Sequence, residues 1–138
     1  MLKFLFLIGI SFLTITCSDT PTNFNEVELD KEFYIKVGDS AVFASQGLVI
    51  KFKSVEDDSR CPKGAVCVWE GNAAIVLELK NSMGDTLTSN LNTTIHPKAV
   101  NFSNFIIGLK SLTPYPKLDE AINYKDYVAS LLVIKKDN

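Results

Sequence analysis

The stretch Ala73-Ala74-Ile75-Val76-Leu77-Glu78-Leu79-Lys80 decides the fold. Ala73, Ile75, Leu77 and Leu79 recur with the period of two that lays one face of a β-strand on a core, opposing Ala74, Val76, Glu78 and Lys80 on the other face. Asn81-Ser82-Met83-Gly84-Asp85 follows as a hairpin loop into a weaker strand near Thr86 to Leu91. Upstream, Leu48, Ile50 and Phe52 alternate with Val49, Lys51 and Lys53, and Phe33, Ile35 and Val37 alternate with Tyr34 and Lys36 until Gly38-Asp39 breaks the run. Downstream, Phe105, Ile107 and Leu109 mark a strand ended by Thr113-Pro114-Tyr115-Pro116, whose prolines forbid a ladder. Leu118, Ala121, Ile122 and Lys125 suit a helix, but Tyr127, Ala129, Leu131 and Val133 alternate, and the β-rich context favours a strand from about Tyr127 to Lys135. Seven or eight short strands separated by turn signals predict an all-β domain, either an antiparallel β-sandwich of immunoglobulin-like type or a small β-barrel.

Between the second and third of these strands lies Asp57-Asp58-Ser59-Arg60-Cys61-Pro62-Lys63-Gly64-Ala65-Val66-Cys67-Val68-Trp69-Glu70-Gly71-Asn72, which holds the only arginine, the only tryptophan and two of the three cysteines. Cys61 and Cys67 enclose Pro62-Lys63-Gly64, a run that turns easily with Pro at the second turn position and Gly at the fourth, so the two thiols can meet. A disulfide closing so short a loop stabilises the fold by about 2 kcal/mol in the chain-entropy model. If Cys67 to Trp69 is strand, Trp69 shares a face with Cys67 and covers the bridge. The mature chain is expected to pack around this knot.

At 138 residues, 46% of them apolar and 22% charged, the chain is long enough for one globular domain with a real core. Its first residues differ, because Lys3 precedes an apolar run from Phe4 to Leu13 that is too short to span a bilayer and fits a signal-peptide core. Leu13-Thr14-Ile15-Thr16-Cys17 resembles the lipobox of bacterial lipoproteins, although Thr16 stands where Gly or Ala is usual and Thr14 where Leu is usual. That resemblance implies a diacylglycerol (typically palmitate-bearing) on the Cys17 sulfur, cleavage before Cys17 and acylation of the new amino group. Two or more acyl chains hold a protein stably at a membrane. The expected organisation is a signal peptide over residues 1–16, lipidated Cys17 with a polar tether over residues 17–30, and a single β domain over residues 31–138. Removing Cys17 leaves Cys61 and Cys67 as an even pair for an oxidising compartment. The mature chain then has 13 basic against 16 acidic residues, a balance of −3 with no basic cluster, which argues against nucleic acid as a partner.

The run Ser59 to Pro62, then Cys67 to Trp69, then Gly71 to Ala73, together with Pro114-Tyr115-Pro116 and Asp126-Tyr127-Val128-Ala129, resembles a group of small uncharacterised bacterial secreted proteins and lipoproteins. Their shared signature is Ser-Arg-Cys-Pro, a short gap, Cys-Val-Trp, then Gly-Asn-Ala; Glu70 here stands where Ala is commoner. The group implies an address and a fold, and carries no activity over.

Each notable residue has a functional and a structural reading. Arg60 could present its planar fork to a carboxylate or phosphate, or bridge Asp57, Asp58 or Glu70 to fix the loop. Glu56, Asp57 and Asp58 could collect calcium, but adjacent acids point in different directions and lack the spacing of a calcium loop. Zinc would need thiolates from Cys61 and Cys67 plus His96 and a fourth ligand, and oxidation removes the thiolates. The five residues between the cysteines do not match the two of thioredoxin-like motifs. A Ser-His-Asp site would have to use His96, which precedes Pro97 in a turn, and no Gly-x-Ser-x-Gly elbow is present. Paired carboxylates for glycoside hydrolysis remain open, although so small a domain shows no evident cleft. Trp69, Tyr115, Tyr124 and Tyr127 could form an aromatic platform, or Trp69 could cover the disulfide and Tyr127 sit at a strand corner.

The candidate binding residues are therefore Arg60, Lys63, Trp69 and Tyr115, with no catalytic residue, metal or cofactor expected. The function expected is a monomeric, non-catalytic lipoprotein of the bacterial envelope, anchored most simply in the outer membrane, that binds a protein or glycan. Two alternatives stand beside it: an inhibitor of a hydrolase such as lysozyme, and a small enzyme or metal protein using His96.

Overall fold

The computed structural model describes residues 27–137, so the signal peptide, Cys17 and the tether up to residue 26 lie outside the described residues. Alternation of side chains dictates the architecture. In β4 (Ala73–Asn81), Ala73, Ile75, Leu77 and Leu79 are fully buried, while Glu78 and Lys80 turn outward. β4 pairs antiparallel with β3 (Leu48–Asp58), whose Leu48, Ile50 and Phe52 are equally buried. β2 (Ser40–Phe43) and β5 (Thr86–Asn92) complete this sheet in the order β2-β3-β4-β5. The facing sheet contains β1 (Glu32–Lys36), β6 (Ala99–Phe102), β7 (Phe105–Thr113) and β8 (Val128–Lys135), in the order β1-β8-β7-β6. Its buried set, including Phe33, Ile35, Ile107, Leu109, Ala129, Leu131 and Val133, closes on that of the first sheet in a single core. Each buried Leu, Ile or Phe contributes about 1.5–3 kcal/mol.

The antiparallel sandwich expected from the sequence is present, and the two sheets do not close into a barrel. Consecutive strands stay together from β2 to β5 and from β6 to β8, so each sheet is a meander and β1 is added beside β8. This order differs from the immunoglobulin one, in which the sheets exchange strands more often. The switch of sheet between β1 and β2 occurs at Gly38-Asp39, where the Gly38 N–H donates to the Phe52 carbonyl at 2.7 Å and the Asp39 carbonyl accepts from the Phe52 N–H at 3.1 Å.

Several boundaries differ from the sequence reading for identifiable reasons. β3 runs on to Asp58 through register shifts between Phe52 and Ser54 and between Val55 and Asp57, and each bulge breaks the alternation that made Lys53 look like its end. A shift between Leu109 and Ser111 hides the last residues of β7 in the same way. β2 and β6 are only four residues each, too short for a period to register. The helix-compatible residues near 118–125 form just a 3-10 turn at Tyr124–Asp126, capped by the Asn123 side chain accepting from the Lys125 N–H, and Leu118 is exposed.

Val27 and Leu29 pack against the core, and the N–H groups of Val27 and Asp30 donate to the carbonyls of Val42 and Val133 at 3.3 and 2.9 Å. The sandwich therefore reaches back at least to Val27, which the sequence reading had assigned to the tether. The chain arrives at the end of the sandwich where β1 and β3 begin. The β3–β4, β5–β6 and β7–β8 connections gather at the other end, separated from it by the 11 residues of β3, roughly 35 Å of strand.

Candidate functional site

The β3–β4 connection is a continuation of its hairpin. Beyond Asp58 and Ala73, the Ser59 N–H donates to the Asn72 carbonyl at 2.7 Å and the Cys61 N–H to the Glu70 carbonyl at 3.0 Å. The two arms are so close that a Cβ on Gly71 would lie 2.0 Å from the Ser59 carbonyl oxygen, and Gly71 also has φ +77°. Only glycine fits. Past Cys61 the chain turns, with the Ala65 N–H donating to the Pro62 carbonyl at 3.0 Å. Pro62 is thus the first residue of the turn and Gly64, at φ +94°, the third, one place along from the expected register. Gly64 occupies the position where a positive φ is required. Cys61 and Cys67 are joined, with Cα atoms 6.0 Å apart.

Neighbouring connections clamp this ring. The Lys63 N–H donates to the Pro116 carbonyl at 2.9 Å and the Lys63 carbonyl accepts from the Leu118 N–H at 3.0 Å, tying the tip to the β7–β8 connection. On the other flank, the Asn72 side chain donates to the Asn92 side-chain oxygen at 2.8 Å and accepts from the Thr94 N–H at 3.1 Å, while the Ala73 N–H donates to the Thr93 hydroxyl at 2.9 Å.

Arg60 sits at the centre of this clamp, 6% exposed. Its Nε and Nη2 donate to Asp58 Oδ1 and Oδ2, both at 2.7 Å, in a bidentate pair. Nη1 donates to the Leu112 carbonyl at 2.5 Å and Nη2 to the Pro114 carbonyl at 2.9 Å. The Tyr127 hydroxyl donates to Asp58 Oδ2 at 2.9 Å, and the Tyr115 ring centroid lies 4.8 Å from the guanidinium carbon. Burial pushes the Asp58 carboxyl up, but the hydrogen bonds from Arg60 and Tyr127 and the guanidinium charge outweigh it and hold Asp58 below its ordinary value. Burial, reinforced by the Asp58 hydrogen bond and charge, pushes the Tyr127 phenol up to about 12. The arginine therefore bridges Asp58, in preference to Asp57 or Glu70, and spends its fork on the fold.

The remaining candidates fall into place around it. The Lys63 side chain is exposed, its Nζ 5.7 Å from the Tyr115 ring centroid. Tyr115, between its prolines, is 37% exposed with the Arg60 guanidinium over its ring. Trp69 is not laid over the disulfide: residues 67–69 are not strand, and Trp69 is 73% exposed. Beside it, Val66 is fully exposed and Val68 is 94% exposed. The sequence reading missed both valines. For Val66 the signal was present, because the ring closed by Cys61 and Cys67 has no interior and an apolar side chain inside it must face out; Val68 lies past the ring and carried no such signal. Tyr127 does stand at a strand corner, just before β8.

Between the ring and the β5–β6 and β7–β8 connections is a cavity of ≈ 160 Å³ lined by Arg60, Glu70, Thr93, Thr94, Lys110 and Tyr115. It is smaller than the roughly 300–1,000 Å³ of ordinary ligand pockets. His96 is exposed on the β5–β6 connection. The Cys61 and Cys67 sulfurs, bonded to each other, cannot serve with it as thiolate ligands. Among the described residues no three His, Cys, Asp or Glu side chains are grouped to hold a metal ion, and no helix is long and apolar enough to cross a membrane.

No family model matches the chain, and no curated protein or solved structure matches it.

Proposed function

We propose that the protein is a non-catalytic binding module of the bacterial envelope, held by a lipid on Cys17 and engaging a protein partner through the apolar tip Val66, Val68 and Trp69. The observation that carries this reading is the pairing of exposure with rigidity. Three apolar side chains, Val66 inside the disulfide ring and Val68 and Trp69 just past it, stand in solvent on a connection fixed by the disulfide, by Gly71 and by hydrogen bonds to both adjacent connections. A surface ordered before binding loses little entropy on association, and tryptophan is among the residues that most often dominate an interface. Scattered single apolar residues need no explanation, but three within four positions of a braced loop do. The pairing of Arg60 with Asp58 removes the arginine from the recognition surface and leaves Lys63, Tyr115 and Glu70 at its rim.

The address and the family resemblance belong to the same proposal. The tip lies at the opposite end of the sandwich from Val27, so a chain tethered through its N-terminus presents the tip away from the anchoring bilayer. The experiment is chemical cross-linking in intact envelopes, comparing the unaltered protein with Val68→Ser plus Trp69→Ser. Loss of a cross-linked partner in the variant supports the reading; an identical partner set refutes it. A convex, disulfide-closed tip also fits the cleft of a hydrolase, and lysozyme activity unchanged by excess protein would remove that version.

A further inference from the structure

Four strands form the rims of the two sheets, and three of the rims are guarded. The Val42 carbonyl of β2 accepts from the incoming Val27. β6 has only four residues and follows Pro97-Lys98. β1 carries Glu32, whose carboxylate is held by the Ser130 hydroxyl, and Lys36. Short length, charge and covering segments are the means by which sheet rims avoid pairing with other chains. β5 has such a guard only at its last residue, where the Pro97 carbonyl covers the Asn92 N–H. Thr86-Leu87-Thr88-Ser89-Asn90-Leu91-Asn92 is uncharged, contains no proline and pairs with β4 over its full length without a bulge.

The backbone directions in β5 follow from bonds at its two ends. The Asp85 carbonyl accepts from the Asn81 N–H and the Thr93 N–H donates to the Ala73 carbonyl, so odd-numbered residues turn their backbone groups toward β4. Thr86, Thr88 and Asn90 then turn theirs outward, and all three side chains are exposed. Asn92 is the next of this set, and its N–H is taken by the Pro97 carbonyl at 2.9 Å. Among the described residues nothing bonds the N–H of Thr88 or Asn90.

We propose that β5 pairs antiparallel with β5 of a second copy about a twofold axis at Ser89, making one continuous eight-stranded sheet from the two β2-β3-β4-β5 sheets. The strand is self-complementary about that residue. Thr88 faces the second copy's Asn90, and these outward-turned residues exchange both backbone bonds, twice over by symmetry. Leu87 faces Leu91, extending the apolar inner face, and Ser89 faces itself, while Asn92, held by Pro97, stays outside the new ladder. No like charges are opposed. A contact confined to Leu87–Leu91 is small, and the dimer is reversible, departing from the monomer expected from the sequence.

The test is Ser89→Cys in the full-length protein in intact cells. The two Ser89 residues form a non-hydrogen-bonded pair with Cα atoms about 4.5 Å apart, within the disulfide range of about 4.4–6.8 Å. A disulfide-linked homodimer is expected on a non-reducing gel. Thr88→Cys alone should give none, whereas Thr88→Cys co-expressed with Asn90→Cys should give a mixed dimer. Thr88→Pro removes an outward N–H while sparing the bonds to β4, and should abolish the Ser89→Cys dimer with the circular dichroism unchanged. Absence of the Ser89→Cys dimer in folded protein, an equal dimer from Thr88→Cys alone, or a link to a different chain overturns the proposal.

Discussion

Replacing Arg60 with Met tests the account of the loop most directly. The substitution keeps much of the side-chain volume and removes four hydrogen bonds: two to Asp58, one to the Leu112 carbonyl and one to the Pro114 carbonyl. Asp58 is left as a carboxylate with a 9% exposed side chain, supported by the Tyr127 hydroxyl and a long bond from the residue-60 backbone N–H. Breaking a buried pair in this way costs about 3–5 kcal/mol, most of it the desolvation of the abandoned charge. Against a total stability of about 5–15 kcal/mol, that is a large fraction. Asp58→Leu combined with Arg60→Met removes both charges, leaving two carbonyls and one phenol without partners, so the double variant should be more stable than Arg60→Met by about 1–2 kcal/mol. Arg60→Lys keeps the charge but loses the planar fork, and should fall between Arg60→Met and the unaltered protein. Urea unfolding followed by far-ultraviolet circular dichroism measures all of these, with equal slopes confirming that only stability has changed. A loss below about 1 kcal/mol for Arg60→Met, or a double variant no better than the single, would refute the claim that this pair organises the loop.

Gly71→Ala should destabilise the protein by at least about 2 kcal/mol, since its Cβ would collide with the Ser59 carbonyl and its φ is strained for alanine; thermal unfolding reads the loss, and a neutral result would mean the arms are not in contact. Tyr127 should make stability fall at alkaline pH: its phenol is raised to about 12, so the stabilisation is complete below about 10, the unfolded value, and is lost as pH climbs through 12. Tyr127→Phe should flatten that part of the profile. Asp58, lowered in the fold, contributes stability that is complete above the unfolded carboxylate value of about 4 and is lost as pH falls through its folded value, a loss that Asp58→Asn should abolish. Cys61→Ser with Cys67→Ser should cost about 2 kcal/mol in chemical denaturation, whereas Trp69→Ser should change stability by less than about 0.5 kcal/mol, because its side chain supports nothing beneath it.

The sandwich was legible in the sequence wherever one face of a strand meets the core and the other meets water. Ala73 to Lys80 is the clearest case, and its alternation is the burial pattern observed except at Val76, which is buried although it falls on the outer face. The reading lost strands where the period is interrupted or has no length to show itself, as at the bulges in β3 and β7 and in the four-residue β2 and β6. In the loop, local chemistry was readable and tertiary partners were not. Pro62-Lys63-Gly64 between two cysteines announces a closed turn, but nothing in the one-dimensional string brings Leu112 and Pro114 to Arg60 or Tyr127 to Asp58, across 52 to 69 residues. Trp69 was misplaced because the alternation of Cys67 and Trp69 was read as strand, whereas the ring diverts the backbone before a ladder can form.

One compositional signal bears on the site all the same. The chain uses lysine thirteen times and arginine once, at the place where a single cation must satisfy a carboxylate and two carbonyls at fixed angles. An ammonium on a flexible stem serves where charge alone is needed, and a planar fork is required where direction matters. By the same logic the exposed tip carries no such constraint from within: Val66, Val68 and Trp69 hold nothing together, so the fold gives no reason for apolar residues there, and the reason must be sought in what the tip touches. The buried arginine and the exposed tryptophan, nine residues apart, thus divide the loop between its two tasks, one securing its shape and the other presenting it.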